Sequence, residues 1–218
     1  MKFLIPLLII IFGMSWKLSK NIINGILYFI PDGINIIALN PMEVFSVSLS
    51  ISFLLTILFF LPYLLFKGMK YISPALYNEE KQLIKNILIG GTFLFLLGFI
   101  LSFIGFVYYG LNWFANFNIE YGFETLWSLS KTINTILSVS FISGLIFEIP
   151  IILYYLLKNK LINIELEHKN RLILLLILFL GIAFITPDGS FFSQIFLGIP
   201  IYLLIELSIF LGNRNRKV

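Results

Sequence analysis

The sequence contains no cysteine and one histidine, His168, and only 12% of its 218 residues are charged. The lack of cysteine excludes disulfide bonds, thiolate metal sites and cysteine nucleophiles. With a single histidine, a histidine-based metal cluster would need carboxylates for nearly all of its ligands, so we assign no metal. Soluble domains carry about one-quarter charged residues, so a chain this poor in charge cannot build a water-exposed surface.

The motifs of nucleotide and hydrolase chemistry are also missing. The sequence has neither a G-x-x-x-x-G-K-[ST] phosphate loop nor a G-x-S-x-G nucleophile elbow. We therefore predict a protein that is not an enzyme and that needs no cofactor. A net charge of +4 would suggest nucleic acid as a partner in a soluble protein. In a membrane protein the placement of charge matters more than its sum, so we predict no nucleic-acid partner.

Long apolar runs dominate what is present, because 59% of the residues are apolar or aromatic. A run of about 18 or more such residues with few charges is typical of a helix that crosses a lipid bilayer. We predict an all-α polytopic membrane protein, one compact bundle over residues 1–218, with extramembrane loops at 17–45 and 110–131. Its six predicted transmembrane helices, the last two of them short, cover about residues 3–16, 46–66, 86–109, 132–157, 172–186 and 192–211.

The basic residues predict the orientation of the chain. Six spans place both termini on one side of the membrane. Lys2, four residues in the loop 67–85, four in the loop 158–171 and three in the tail make up 12 of the 15 Lys and Arg residues. Short cytoplasmic loops carry the excess of positive charge. We therefore expect both termini in the cytoplasm and the chain in the cytoplasmic (inner) cell membrane.

Two acidic residues fall inside predicted spans. Glu148 lies well within the fourth span, where an ionisable group costs about 2.5–3.5 kcal/mol on insertion and usually marks function. The alternative is a hydrogen-bonded packing residue beside the helix kink at Pro150. Glu206 lies in the sixth span, closer to an end, and the same two interpretations apply there.

Other polar residues lie in loops or at the ends of spans. Glu79 and Glu80 follow Tyr71 in a basic loop, where two carboxylates can bind guanidinium groups or simply begin a solvated helix. Ser193 and Gln194 at the start of the sixth span are suited to hydrogen bonds between helices. Asp188 is most simply part of a Pro-Asp-Gly turn.

Several ordered motifs resemble the TatC family, the membrane core of the twin-arginine protein translocase. The resemblance covers nearly the whole chain after about residue 28, and each motif has the family's spacing. The matching segments are Ile30-Pro31-Asp32-Gly33, Pro41-Met42-Glu43-Val44-Phe45, Tyr71-Ile72-Ser73-Pro74-Ala75-Leu76-Tyr77 with Glu80, Phe147-Glu148-Ile149-Pro150, Ile185-Thr186-Pro187-Asp188, Phe192-Ser193-Gln194 and Tyr202 to Leu207.

The resemblance implies a receptor that binds the Arg-Arg signal peptides of folded cargo and is driven by the proton-motive force. It implies a concave bundle and a homo-oligomer within a translocase complex that contains single-span TatA or TatB partners. The residues that it assigns are Tyr71, Glu79 and Glu80 to the signal peptide, Glu148 and Glu206 to the bundle interior, Ser193 and Gln194 to the partners, and Pro41, Glu43 and Asp188 to the outer loops.

The chain departs from the family pattern in its first residues. Members usually begin with a segment resembling His-Leu-x-Glu-Leu-Arg, whereas only Met1 and Lys2 precede Phe3 here. An alternative function is a small proton-coupled secondary transporter that uses Glu148. Such a transporter would show repeated halves with broken helices at matching positions, and the sequence has no such repeat.

Overall fold

A computed structural model describes residues 4–31, 33–159, 168–185 and 191–214. These residues are mostly helical. A 3₁₀ turn at Ser73–Ala75, a π-helical turn at Phe106–Gly110 and two short strands, β1 (Asn35–Ile37) and β2 (Leu126–Ser128), interrupt the helices. The helices are α1 (Leu4–Phe29), α2 (Glu43–Ile72), α3 (Asn78–Gly105), α4 (Leu111–Glu120), α5 (Leu129–Phe147), α6 (Ile149–Lys158), α7 (His168–Ile185) and α8 (Phe191–Arg214).

The predicted all-α polytopic membrane fold is confirmed. Within the described residues, four helical segments are long and apolar enough to cross a bilayer, namely Ile5–Phe29, Glu43–Ala75, Glu80–Glu120 and Leu129–Lys158. Two shorter apolar helical segments follow at Ile173–Ala183 and Leu197–Asn213. The last two apolar segments are therefore the short ones, as the sequence indicates.

The first helix is longer than predicted. The sequence assigned residues 17–45 to a loop, but α1 continues through Lys17 and Lys20 to Phe29. Ser15, Ser19 and Ile23 are buried at helical spacing, while both lysines are exposed. Lysine has a good helix propensity, and its long side chain can place the ammonium group away from apolar surroundings. The helix therefore continues through the mixed segment that the sequence suggested was a loop.

The predicted loop at 110–131 is also largely structured. The chain leaves α3 through the π-helical turn, forms α4 and then the strand β2. Trp113 and Phe117 on α4 and Tyr121, the residue directly after it, recur every fourth residue, and successive ring centroids are 5.4 and 4.9 Å apart. Aromatic neighbours at this spacing stabilise a helix that is too short to be stable alone.

Residue contacts divide the chain into two compact units. The first comprises Met1–Gly68 and Phe103–Ser138. Its core is formed by one face of α2, where Val47, Ile51 and Phe60 are buried, together with residues of α1 and α5. Hydroxyl groups on this face of α2 donate to carbonyl groups one turn earlier, as in Ser52 to Ser48 at 2.6 Å and Thr56 to Ser52 at 2.6 Å. These bonds satisfy polar groups inside an apolar helix.

The second unit comprises Met69–Ser102 and Val139–Val218. Leu197, Ile201, Ile205 and Ile209 recur every fourth residue on α8 and are buried. This stripe packs in one core with Phe147, Leu157 of α6 and Ile182 of α7. Spacing of four residues places all of these side chains on one helix face, so the core follows directly from the sequence of α8.

Candidate functional site

The loop between α2 and α3 presents two tyrosines to the surroundings. Tyr71 is the last residue but one of α2 and is 87% exposed, and Tyr77 precedes α3 and is 80% exposed. Between them, Pro74 lies in the 3₁₀ turn, which the Leu76 N–H closes by donating to the Ser73 carbonyl at 3.3 Å. The motif that resembles the TatC loop is therefore an ordered turn with exposed aromatic rings.

Glu80 caps the helix that follows this turn. The Tyr77 backbone N–H donates to Glu80 Oε2 at 2.8 Å. This is the side-chain half of a capping box, in which an acidic residue in the first turn satisfies the N–H group that precedes the helix. Among the described side chains, Glu80 forms no salt bridge and its second carboxylate oxygen accepts no hydrogen bond. The exposed carboxylate is therefore held in place by one oxygen and can accept from a ligand with the other.

The surroundings of this carboxylate are basic. Lys70 in the last turn of α2 and Lys85 on α3 are exposed, and Lys81 is half-buried. The backbone of Glu79 lies in the first turn of α3, but its side chain is outside the described set. Tyr71, Tyr77 and Glu80 thus lie around one connection between helices. A role for Tyr71, Glu79 and Glu80 in binding a signal peptide stays a prediction.

Glu148 occupies a break in the fourth apolar segment. The sequence predicted one helix over 132–157, but α5 ends at Phe147 and α6 begins at Ile149, with Pro150 in its first turn. Proline lacks an N–H group and restricts the residue before it, so a break at this point is expected. The Glu148 side chain is half-buried and forms no hydrogen bond or ion pair with the described residues.

Glycines bring α3 close to the helices on either side of this break. A Cβ atom at Gly98 would lie 2.4 Å from Cγ of Phe147, and one at Gly90 would lie 2.1 Å from Cδ1 of Ile151. Small residues allow such close packing of helices in lipid. Phe147, which packs against Gly98, is almost fully buried, whereas Glu148 beside it is half-buried.

The remaining predicted residues are spread over other elements. Glu206 and Gln194 are half-buried on α8, and each interacts with other residues of the protein. Ser193 lies in the first turn of α8, but its side chain is outside the described set. Asp188 lies outside the described residues altogether.

Glu43 has a structural partner that the sequence did not indicate. Pro41 is exposed in the turn before α2, whereas Glu43, the first residue of α2, is 8% exposed. The carboxylate of Glu43 accepts from Ser128 Oγ at 3.2 Å and from the Ser130 backbone N–H at 3.3 Å. Ser130 lies in the first turn of α5, where free N–H groups attract negative charge. Glu43 therefore joins the beginnings of α2 and α5.

This contact lies at the end of a two-stranded β-ribbon, because Ser128 is the last residue of β2. β1 pairs in parallel with β2, with Asn35 opposite Leu126 and Ile37 opposite Ser128. The Thr125 hydroxyl donates to the Gly33 carbonyl, and the Asn35 N–H donates to the Thr125 carbonyl at 2.9 Å. Strands of three residues leave little trace in a sequence, so neither the ribbon nor Ser128 was predicted.

Comparison with known proteins agrees with these features. Residues 1–200 match the family model for the Sec-independent protein translocase protein TatC. The TatC protein of Aquifex aeolicus is 32% identical over 82% of this chain and 74% of its own length. That of Desulforapulum autotrophicum is 29% identical over 77% of this chain and 61% of its own length.

The fold matches as well. A crystal structure of the twin-arginine translocase receptor TatC superimposes with a TM-score of 0.71 and 26% sequence identity, covering 98% of this chain and 95% of that one. A second crystal structure of that receptor, in the detergent DDM, superimposes with a TM-score of 0.71 and 28% sequence identity. This chain therefore belongs to the TatC family, whose members are membrane components of a protein translocase and not enzymes.

Proposed function

We propose that this chain is the core receptor of a twin-arginine translocase and binds Arg-Arg signal peptides with the loop between α2 and α3. The observation that carries the proposal is the exposed carboxylate of Glu80, held by the Tyr77 N–H in a connection where Tyr71 and Tyr77 are both exposed. A carboxylate binds guanidinium through charge-assisted hydrogen bonds, and aromatic faces attract the same cation. In our proposal Glu79, whose backbone lies in the same turn of α3, is a second acceptor.

The rest of the receptor follows from the family. In our proposal both termini and this loop face the cytoplasm, in agreement with the excess of lysine and arginine in the same loops. The first turns of α8, with Ser193 and Gln194, and the short helix α7 contact single-span TatA- or TatB-type partners. Copies of the chain assemble within one complex, and cargo export uses the proton-motive force.

Glu148 is the polar group that cargo export requires within the bundle. It interrupts an apolar segment and has no partner among the described residues. An ionisable group in that position is costly, which favours a function over packing alone. Family membership supports a translocase and argues against the secondary transporter that the same residue would otherwise suggest.

Crosslinking of a twin-arginine signal peptide to the purified protein in lipid nanodiscs tests the receptor site. Glu80→Gln keeps an oxygen that can accept from Tyr77 N–H but removes the charge, whereas Glu80→Ala removes both. We expect roughly tenfold weaker binding for both variants, since a charge-assisted hydrogen bond contributes about 1.5–3 kcal/mol. A Lys-Lys peptide, which cannot form a bidentate pair, serves as the ligand control.

The variants separate recognition from folding. If Glu80→Gln binds as well as the unaltered chain and only Glu80→Ala is weakened, the carboxylate acts through the helix cap and not through its charge. Equal binding of Arg-Arg and Lys-Lys peptides would likewise contradict recognition by this site. Lys85→Gln, an exposed change on the same helix, should leave the preference for Arg-Arg peptides intact.

A further inference from the structure

A cavity of about 400 Å³ lies in the first unit, and none of the residues that line it is assigned to the signal peptide. Its walls are α4, the first two turns of α5 and the ribbon strand β2. Phe106 and Leu111, both nearly fully buried, and the half-buried Phe114 form an apolar floor. Cavities of this size, apolar with a few polar groups, are typical of sites for small molecules.

Several polar residues line the cavity. Lys131, Thr132 and Thr135 line it from the first two turns of α5, and Asn118 lines it from α4. No hydrogen bond or ion pair among the described residues involves the Lys131 ammonium group or either threonine hydroxyl. The Asn118 backbone carbonyl accepts from Phe123 N–H, but its side-chain amide has no such bond. The cavity therefore offers a cation and several hydrogen-bonding groups that the protein itself does not use.

The charge of the cavity is positive. None of the described residues that line it is acidic. The nearest carboxylate in the hydrogen-bond network is that of Glu43, which already accepts from the Ser128 hydroxyl at the cavity wall and from Ser130 N–H. The Lys131 side chain is exposed and forms no ion pair among the described residues, so its ammonium group stays available to an anion.

We propose that this cavity binds an anionic membrane phospholipid. The phosphate group accepts from the Lys131 ammonium and the threonine hydroxyls, and the first part of an acyl chain packs on Phe106, Leu111 and Phe114. Trp127, which also lines the cavity, contributes the ring that is enriched where headgroups meet hydrocarbon. Hydrogen bonds between an ammonium group and a phosphate are charge-assisted and are therefore stronger than those between neutral groups.

Two features favour a lipid over other occupants. The apolar floor and the cation lie in one cavity, so a ligand must carry hydrocarbon and negative charge together, which a free phosphate ion does not. The cavity is also too small for a transmembrane helix, because one helical turn about 10 Å across and 5.4 Å long already occupies roughly 400 Å³. This inference requires the membrane location of the chain but not the signal-peptide site.

Fluorescence quenching tests the proposal on the full chain. Trp16→Phe and Trp113→Phe together leave Trp127 as the single tryptophan in the cavity. The detergent-solubilised protein is titrated with phosphatidylglycerol brominated on the acyl chain and, in parallel, with the same brominated phosphatidylcholine. We expect quenching of Trp127 at roughly tenfold lower concentrations of the anionic lipid, the effect of one charge-assisted contact.

Variants identify the groups responsible. Lys131→Gln should abolish the preference for phosphatidylglycerol, and Lys85→Gln, a lysine far along the chain from the cavity, should retain it. Thr135→Phe fills the cavity and should weaken quenching by both lipids. Lys131→Gln tests the charge alone, because this substitution does not require the cavity to repack. Equal quenching by both lipids, an unchanged preference in Lys131→Gln, or displacement of the lipid by millimolar inorganic phosphate would overturn the proposal.

Discussion

The Ser128 hydroxyl donates to the Glu43 carboxylate across 3.2 Å, although 85 residues separate the two along the chain. The same carboxylate accepts from the first turn of α5, so one side chain connects α2, β2 and α5. Because the carboxylate is buried, water cannot readily replace the two groups that donate to it. A residue in the family's Pro-x-Glu-x-Phe motif thus has a structural task in this protein.

Removal of this acceptor should destabilise the protein. We expect Glu43→Ala to lower the free energy of unfolding by about 1–3 kcal/mol, because the Ser128 hydroxyl and Ser130 N–H lose their partner. Glu43→Gln keeps an acceptor oxygen and should lower the free energy of unfolding by less than Glu43→Ala does. Thermal unfolding of the purified variants in one detergent gives the comparison, and equal stability of Glu43→Ala and the unaltered chain would contradict it.

Glu148 should affect stability and export in opposite directions. Glu148→Ala removes a polar group from an apolar segment, so we expect the free energy of unfolding in nanodiscs to rise by about 1–3 kcal/mol. Export of folded twin-arginine cargo should fall in the same variant and be partly retained by Glu148→Gln, which preserves hydrogen bonding. Normal export by both variants would leave Glu148 with a packing role. Glu120→Ala, at the exposed end of α4, is the control and should change stability by less than about 0.5 kcal/mol.

Two glycines on α3 should respond differently to one added methyl group. At Gly98 a Cβ atom would lie 2.4 Å from the Phe147 ring, whereas at Gly91 the nearest atom, Cγ2 of Ile151, is 4.0 Å away. Gly98→Ala should therefore cost about 1–3 kcal/mol of stability through overpacking. Gly91→Ala should be neutral or stabilising, because alanine favours helix over glycine by up to about 1 kcal/mol. Thermal unfolding of the two variants, measured side by side, checks the prediction, which fails if their order is reversed.

Ser102 should tolerate loss of its hydroxyl. It is 1% exposed, and its oxygen has no hydrogen-bond partner among the described residues. Ser102→Ala removes an unsatisfied polar group and is expected to leave stability unchanged or raise it by about 1 kcal/mol. Ser143→Ala is the matched comparison, since Ser143 Oγ donates to the Val139 carbonyl at 2.7 Å. Ser102→Ala should therefore unfold at the higher temperature of the two, and the opposite order would show that Ser102 has a partner.

Much of the fold was predictable because hydrophobicity sets it. The apolar runs located all six hydrophobic segments, and Glu148 with Pro150 marked the place where the fourth one breaks. The extension of α1 to Phe29 was not predictable from composition, since it depends on a narrow buried face through Ser19 and Ile23. Local charge suggested a loop there, and packing within the first unit overrides it.

The candidate site was predicted as a set of residues but not as a geometry. The loop motif located Tyr71 and Glu80, yet the cap from Glu80 to Tyr77 N–H was not foreseen, because tyrosine is not a residue that usually precedes a capping box. The sequence also did not indicate Ser128 as the partner of Glu43 or Lys131 as a residue that lines a cavity. Their significance comes from residues far apart in sequence that only the folded chain brings together.

The bond between Glu43 and Ser128 also sets an order of events during synthesis. Residues 43 and 128 leave the ribosome about 4–17 s apart at common elongation rates of roughly 5–20 residues per second. During that interval the Glu43 carboxylate lacks the Ser128 and Ser130 groups that donate to it, and β1 has no strand to pair with. This end of the first unit therefore closes late, and until then a chaperone or insertase can still reach the carboxylate that later becomes buried.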